Sequence, residues 1–248
     1  MAGLSWLTAR PIAHRGLHDA AAGVIENTSS AFRAAIAGDY GIECDVQISA
    51  DGEAIVHHDD ALGRLTQGNE PLRTLSAAVL KAVPFRATVD RMLTLAELCE
   101  LVAARVTLII EMKSRFDGDM RLPARVAQTL ERYAGPVAVM SFDPEQIVAL
   151  RAVAPGLPRG IVAERRYDHP EWAALPPGRK RSMAFLLHGL RTRPHFLAYR
   201  VADLPSIAPL LARHVFGVPL LTWTVRTEAD RKRAGRWASQ MIFEGFRP

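Results

Sequence analysis

Short apolar runs alternate with longer amphipathic stretches along nearly the whole chain. The short runs predict β-strands, and apolar residues at helical spacing between them predict α-helices. The predicted strands are Arg10–His14, Gly41–Val46, Ala54–His58, Val106–Met112, Val137–Ser141, Arg159–Val162, Met183–Leu187, Leu220–Val225 and Gln240–Phe243. The predicted helices are Thr28–Ala37, Leu95–Ala103, Pro123–Tyr133, Pro144–Val153, Leu204–Phe216 and Glu228–Trp237. Repetition of strand and helix predicts crossover connections and a parallel sheet.

The number of strands bears on how the sheet closes. Eight strand–helix units form a TIM-type (β/α)8 barrel, with functional groups at the C-terminal ends of the strands. Here nine runs are predicted, and the segment between Gly41–Val46 and Ala54–His58 contains Asp51-Gly52, a hairpin signal. We therefore predict an α/β barrel with a small β-hairpin arm after the second strand, which returns His58 to the barrel mouth. A doubly wound sheet shares the same alternation and is the alternative.

Composition indicates one globular unit. The 248 residues are 49% hydrophobic and 23% charged, which suits a large core. Because α/β barrels reach this length as one unit and no linker-like stretch interrupts the chain, we predict a single domain over residues 1–248. The two cysteines are too few for a disulfide framework. With no signal-like N-terminus and no membrane-spanning apolar run, we expect a cytoplasmic location.

The net charge of +5 favours anionic partners, although a solvated charged surface would also account for it. No basic stretch is interleaved with aromatic residues, so we expect no nucleic-acid partner. The sequence contains no apolar run that suggests a membrane-facing lip, and we expect no stable membrane insertion.

The first polar motif is His14-Arg15, at the end of the first predicted strand. Ile12 and His14 share one face of that strand, which points His14 inward at its C-terminal tip. A histidine at a strand end is often structural. The adjacent Arg15 favours function instead, because a guanidinium fork suits a phosphate oxyanion.

Carboxylates mark the next two strand ends. Glu43 and Asp45 are two residues apart, so they project from one face while Cys44 points to the other. Buried carboxylates need compensation, and a hard divalent cation supplies it; an edge strand in water is the alternative. Glu111 repeats the pattern, with Lys113 on its face, and could be the third ligand. Three carboxylates suit Mg²⁺ or Ca²⁺ better than Zn²⁺, and Lys113 could contact a phosphate or pair with a carboxylate.

Two adjacent histidines, His57 and His58, end the following apolar run. Strand alternation allows only one of them to face the site and does not decide which. The acidic neighbours Asp59 and Asp60 could raise a histidine pKa towards neutrality. We expect the other histidine to face solvent.

Taken together, these residues resemble the His-Arg…Glu-x-Asp…His signature of the glycerophosphodiester phosphodiesterases, specifically the cytoplasmic bacterial type. The resemblance extends from about Ile12 to Val225. Further stretches similar to the family are Glu26-Asn27-Thr28, Asp51-Gly52, His58-Asp59, Glu111-Met112-Lys113, Ser141-Phe142-Asp143 and Trp223-Thr224-Val225. The family places its second histidine directly before an aspartate, which selects His58 over His57.

The resemblance implies metal-dependent hydrolysis of a glycerophosphodiester to glycerol 3-phosphate and an alcohol. His14 and His58 would exchange protons, and Glu43, Asp45 and Glu111 would hold one divalent cation. The glycerol 2-hydroxyl would be the nucleophile, giving a cyclic phosphate that water then opens. Arg15 and Lys113 would contact the phosphate. The aromatic side chains of Phe142 and Trp223 would pack on the substrate or fill the core.

Three positions depart from the family pattern. Ile25 replaces a frequent proline, Met241 to Gly245 replaces a closing Thr-Asp pair, and the chain ends at Pro248. The last two departures leave substrate preference open. A lysophospholipase D-like phosphodiesterase on the same scaffold is the first alternative, and a non-catalytic anion-binding module is the second. The latter leaves the inward carboxylates unexplained.

Overall fold

Eight parallel strands close into a barrel in the computed structural model, which describes residues 3–248. The barrel strands are β1 (Ile12–Ala13), β2 (Gly41–Ile48), β4 (Leu108–Met112), β5 (Val137–Ser141), β6 (Arg159–Ala163), β7 (Phe196–Arg200), β8 (Leu220–Val225) and β9 (Gln240–Phe243). Pairing of β1 with both β9 and β2 closes the cylinder. The predicted barrel is confirmed, and the doubly wound alternative is wrong.

The remaining strand, β3 (Ala54–Val56), pairs antiparallel with β2, with Val46 opposite Val56. This is the predicted hairpin arm, and it is confirmed. A small core of its own supports the arm, because Ile55 packs with residues of the segment between β3 and the next long helix. The other buried members of this core are Ile25, Leu62, Leu72, Leu80, Phe85 and Met92.

Helices surround the barrel. They are α1 (Ser5–Thr8), α2 (Ser29–Ala37), α3 (Ala77–Ala82), α4 (Leu95–Val102), α5 (Arg121–Leu130), α6 (Pro144–Val153), α7 (Pro177–Ala184), α8 (Gly189–Thr192), α9 (Ile207–Phe216) and α10 (Glu228–Trp237). Local sequence determines several starts: Thr94 with Glu97 and Thr227 with Asp230 form capping boxes before α4 and α10. Among the described residues, no helix is both long and apolar enough to cross a bilayer.

Strand alternation divides the buried side chains between two layers. Ile12, Ile109 and Val162 belong to the cluster inside the barrel, where Leu7 of α1 also packs. Cys44 and Ile110 belong to the larger cluster between sheet and helices. Both cysteines are buried and free, as expected for a chain without a disulfide framework.

One strand prediction is wrong. Met183–Leu187 is not a strand, since Met183 lies in α7 and packs on Tyr167 and Trp172, and Leu187 is exposed. The seventh barrel strand is Phe196–Arg200 instead. Both segments are short apolar runs. Only Phe196–Arg200 pairs with β6 and β8, and this pairing is what makes it the strand.

Candidate active site

The C-terminal ends of the strands open into a cavity of ≈ 1230 Å³. All the predicted site residues except Asp45 line it: His14, Arg15, Glu43, His58, Glu111, Lys113, Phe142 and Trp223. Asp45 is 1% exposed and forms ion pairs with Arg15 and Lys113, which line the cavity. Residues from β1, β2, β4, β5, β8 and the hairpin arm therefore converge at one rim.

The three carboxylates form one cluster. Glu43 and Asp45 point into the barrel from β2, and the strand register places Asp45 beside Glu111 of β4. One oxygen from each of the three lies within 4.8 Å of those of the other two. All three residues are buried, so the alternative of a solvated edge strand is wrong.

The cluster fits a divalent cation. Glu43 Oε1 is buried and has no hydrogen-bond partner among the described residues. Burial, together with the charges of Asp45 and Glu111, raises the pKa of Glu43 well above its usual range. An additional positive charge bound by carboxylate oxygens would satisfy this oxygen and offset the repulsion. Hard oxygen donors of this kind suit Mg²⁺ or Ca²⁺.

Two cationic side chains already neutralise part of the cluster. Lys113 Nζ lies 2.8 Å from Asp45 Oδ1 and 2.7 Å from Glu111 Oε1, so it makes the carboxylate pairing that was one of its two predicted roles. Arg15 Nε lies 3.3 Å from Asp45 Oδ2. Burial opposes ionisation of Asp45. The positive charge of Lys113 and of the other cationic side chains around Asp45 outweighs that effect and lowers the pKa of Asp45 well below the usual range.

A tight turn after β1 positions Arg15. Arg15 and Gly16 have φ angles of 57° and 80°, in the left-handed region. The turn lets the Arg15 backbone N–H donate to Glu43 Oε2 at 3.0 Å. A Cβ on Gly16 would lie 2.9 Å from the backbone of Ala31 in α2, so only glycine fits here. Glu26 accepts a hydrogen bond from Arg15 Nη1 at 2.7 Å and holds the guanidinium at the rim.

His14 is oriented by a carboxylate from the end of the last strand. Its Nδ1 lies 2.5 Å from Glu244 Oε2, and since a carboxylate only accepts, Nδ1 carries the proton. Nε2 then carries the free lone pair of the imidazole and lies 4.0 Å from Glu43 Oε2. Burial lowers the pKa of His14, and the hydrogen bond with Glu244 opposes this.

His58 has an analogous arrangement on the hairpin arm. Its Nδ1 lies 2.8 Å from Asp59 Oδ1, which leaves Nε2 available to the cavity. Arg64 links Asp59 to Glu26 through hydrogen bonds of 2.6 and 2.7 Å. Gln47 Nε2 donates to the His58 carbonyl at 2.8 Å and ties the arm to β2.

The expectations for the neighbours of His58 need correction. His57 does not face solvent: it is 2% exposed, packs near Phe85, and burial lowers its pKa to about 4. The arm has a core beneath it, and that core buries the histidine that points away from the cavity. Asp60 pairs with Arg115 at 2.5 Å rather than with a histidine.

An aromatic wall completes the cavity. Phe142 and Trp223 are partly exposed and make an edge contact with ring centroids 5.4 Å apart. Both also pack on the cluster inside the barrel, so they fill the core and line the cavity at once. Ser141 donates to the Met112 carbonyl at 2.7 Å inside the sheet and is not placed as a nucleophile.

Several contributors to the site were not predicted from the sequence. Glu244 was missed because it lies in the stretch that departs from the family pattern. Its position directly after the last barrel strand is a signal that could have identified it, because the ends of the barrel strands surround the site. Asn27 is 1% exposed; its Nδ2 donates to Asp45 Oδ2 at 2.8 Å, and its Oδ1 accepts from the backbone N–H of Asp45. No sequence pattern marks Arg64, because its contacts with Asp59 and Glu26 form only when the arm folds.

Known proteins resemble this chain in sequence. The sequence profile of the Glycerophosphoryl diester phosphodiesterase family matches residues 14–245. A glycerophosphodiester phosphodiesterase of Caldanaerobacter subterraneus is 29% identical over 234 residues, covering 90% of this chain and 88% of that protein.

Two solved structures share the barrel fold. One is a phosphodiesterase of Oleispira antarctica in complex with the product sn-glycerol-3-phosphate, with a TM-score of 0.78 and 21% identity over 96% of this chain and 94% of that one. The other is a glycerophosphodiester phosphodiesterase of Thermotoga maritima, with a TM-score of 0.70 and 23% identity over 94% and 92%.

Proposed function

The chain belongs to the glycerophosphoryl diester phosphodiesterase family, and we propose that it hydrolyses glycerophosphodiesters to glycerol 3-phosphate and an alcohol. The observation that carries the proposal is the placement of two carboxylate-supported imidazoles, His14 and His58, around one buried carboxylate cluster. The Oleispira antarctica structure, which binds sn-glycerol-3-phosphate, supports the same product class. We place this activity in the single domain that the sequence predicts.

Glu43, Asp45 and Glu111 would hold one divalent cation, Mg²⁺ or Ca²⁺, and Asn27 fixes the orientation of Asp45 by donating to its Oδ2. When bound, such a cation would act as a Lewis acid, supplying positive charge that stabilises the phosphate and favours loss of a hydroxyl proton. Glu43 Oε1 has no hydrogen-bond partner among residues 3–248, so a cation bound there would supply the contact that this buried oxygen lacks.

Arg15 and Lys113 bind the non-bridging phosphate oxygens. Both line the cavity, and both are held by carboxylates on their inner side, which limits their motion. Fixed cations of this kind stabilise charge that develops on the phosphate in the transition state.

His14 and His58 transfer the protons. One imidazole takes the proton of the glycerol 2-hydroxyl as that oxygen attacks phosphorus, and the other protonates the departing alkoxide. The resulting cyclic phosphate is opened by water with the two roles exchanged. Both imidazoles have Nδ1 on a carboxylate and Nε2 at the cavity, so the geometry accommodates either order. Phe142 and Trp223 pack against the glycerol or the leaving group.

A panel of substrates with each divalent cation tests the activity. We expect glycerophosphocholine and glycerophosphoethanolamine to release glycerol 3-phosphate, and lysophosphatidylcholine to react much more slowly. Faster turnover of the lysophospholipid would instead establish the lysophospholipase D-like activity. That second candidate is favoured by one observation: Phe116, Trp172 and Leu175 extend the aromatic wall of the cavity beyond Phe142. No turnover of any diester with any cation would refute both activities.

Glu244 is proposed as a positioning residue for His14. We expect Glu244→Gln to lower kcat about 10- to 100-fold with little change in KM, because the imidazole loses its anionic partner. Glu244 raises the pKa of His14, so its neutralisation moves the corresponding limb of the pH–rate profile to lower pH.

Steady-state kinetics across pH check this prediction. Glu244→Asp keeps the charge and should recover part of the rate, and Glu228→Gln, an exposed residue at the start of α10, is the matched control. Equal losses in kcat for Glu244→Gln and Glu244→Asp would argue for a purely steric role.

A further inference from the structure

A large apolar surface lies outside the candidate active site. Seven of the ten exposed large hydrophobic side chains of the described residues lie within residues 185–216. Most of them line a groove of ≈ 1140 Å³ together with neighbouring residues of α7, α8 and α9. We call this surface the α8–α9 face; its exposed apolar members are Phe185, Leu187, Leu190, Ile207, Leu211, Val215 and Phe216.

The outward side of α9 is apolar along its whole length. Ile207, Leu211 and Val215 follow each other at four-residue spacing and are 87%, 51% and 64% exposed. Pro209 is the only residue of α9 that is buried. An outer helix of a barrel normally exposes polar residues, so this stripe indicates a surface that is covered by something else.

The rim of the same groove is cationic. Arg165, Arg166, Arg181 and Arg193 line it, and all four are exposed. None of their side chains forms an ion pair or hydrogen bond within residues 3–248, and no acidic residue lines the groove. An apolar floor with a purely cationic rim requires an occupant that is both apolar and anionic.

Charge decides between the possible occupants. A second copy of this chain would place the same four arginines against each other across a two-fold interface, without carboxylates to pair them. An anionic lipid surface satisfies both features, because the apolar side chains enter the acyl boundary while arginines contact the headgroup phosphates. We propose that the α8–α9 face docks the protein peripherally on anionic membranes.

The position of this face relates it to the cavity. Arg165 and Arg166 also line a small cleft whose other charged or titratable members are Asp168, Asp203, His169 and Arg200. Of these, His169 and Arg200 also line the candidate active-site cavity. A docked membrane would therefore lie beside the cavity mouth. The sequence shows no continuous apolar run for this face, because the contributing residues are scattered over two segments.

Vesicle flotation tests the proposal without depending on catalysis. We expect binding to vesicles of phosphatidylcholine mixed with phosphatidylglycerol, weaker binding at high salt, and little binding to phosphatidylcholine alone. Leu190→Asp and Ile207→Asp should each reduce the bound-to-free ratio about tenfold. Val89→Asp, at a 94% exposed valine outside the face, makes the same chemical change and should bind as the wild type does.

Charge variants separate docking on anionic lipid from purely apolar adsorption and from dimerisation. Arg166→Gln with Arg181→Gln should lower binding to anionic vesicles by about tenfold or more, whereas Arg33→Gln, at an exposed arginine elsewhere, should not. Turnover of a water-soluble diester reports that each variant is folded. The proposal is overturned by equal binding to neutral and anionic vesicles, by equal losses in the control variants, or by a dimer in sedimentation analysis that Leu190→Asp dissociates.

Discussion

Each of the substitutions His14→Ala and His58→Ala should lower the turnover of glycerophosphocholine by about 10²- to 10⁴-fold. Each imidazole presents Nε2 to the cavity while a carboxylate holds Nδ1, so each is placed to move one proton in the reaction. His14 is 12% and His58 30% exposed at the side chain, and truncation at the rim should leave the fold intact. Single-turnover rates with purified variants measure the effect.

The matched control is His214→Ala, at an exposed histidine on α9, which should retain the wild-type rate. His57→Ala distinguishes the two neighbouring histidines, because His57 is buried under the arm: it should lower the melting temperature and leave kcat of the folded protein near normal. A near-normal rate in His58→Ala together with a severe loss in His57→Ala would reverse the assignment.

Removal of divalent cations should abolish turnover, and addition of Mg²⁺ or Ca²⁺ should restore it. Glu43, Asp45 and Glu111 bring three carboxylates together, and Lys113 and Arg15 offset only part of their charge. Glu43→Gln and Asp45→Asn should each reduce activity by about 10²-fold or more at fixed cation concentration, because a ligand and its charge are lost.

Thermal unfolding provides a second measurement that does not depend on activity. At 100 times its dissociation constant, a bound cation should raise Tm by about 5–10 °C. Glu43→Gln should largely remove this shift, whereas Glu131→Gln, at an exposed residue after α5, should keep it. Full activity in excess chelator, or an unchanged cation-induced shift in Glu43→Gln, would contradict the metal assignment.

Much of the site could be predicted from local patterns. The two-residue period of a strand places Glu43 and Asp45 on one face and Cys44 on the other, and the structure has this arrangement. The Asp51-Gly52 signal separated the hairpin arm from the barrel strands, which brought the count to eight. These predictions needed only the geometry of one element at a time.

Other features depended on contacts that no local pattern encodes. Met183–Leu187 and Phe196–Arg200 are both short apolar runs, and only the second meets two neighbouring strands. Glu244 reaches His14 across 230 residues of sequence because β9 pairs with β1 when the barrel closes. His57 is buried by a core that forms only when the segment after β3 folds back on the arm.

Local patterns in the chain were therefore enough to establish the repeating elements, the inward direction of the carboxylates and the family resemblance. Long-range packing was needed to select the seventh strand from two apolar runs, to bring Glu244 to His14, and to leave apolar residues exposed on the α8–α9 face. The physical reason is that hydrophobic period and backbone alternation set the face to which a side chain points. Its partner is set by closure of the barrel, which joins residues far apart in the chain.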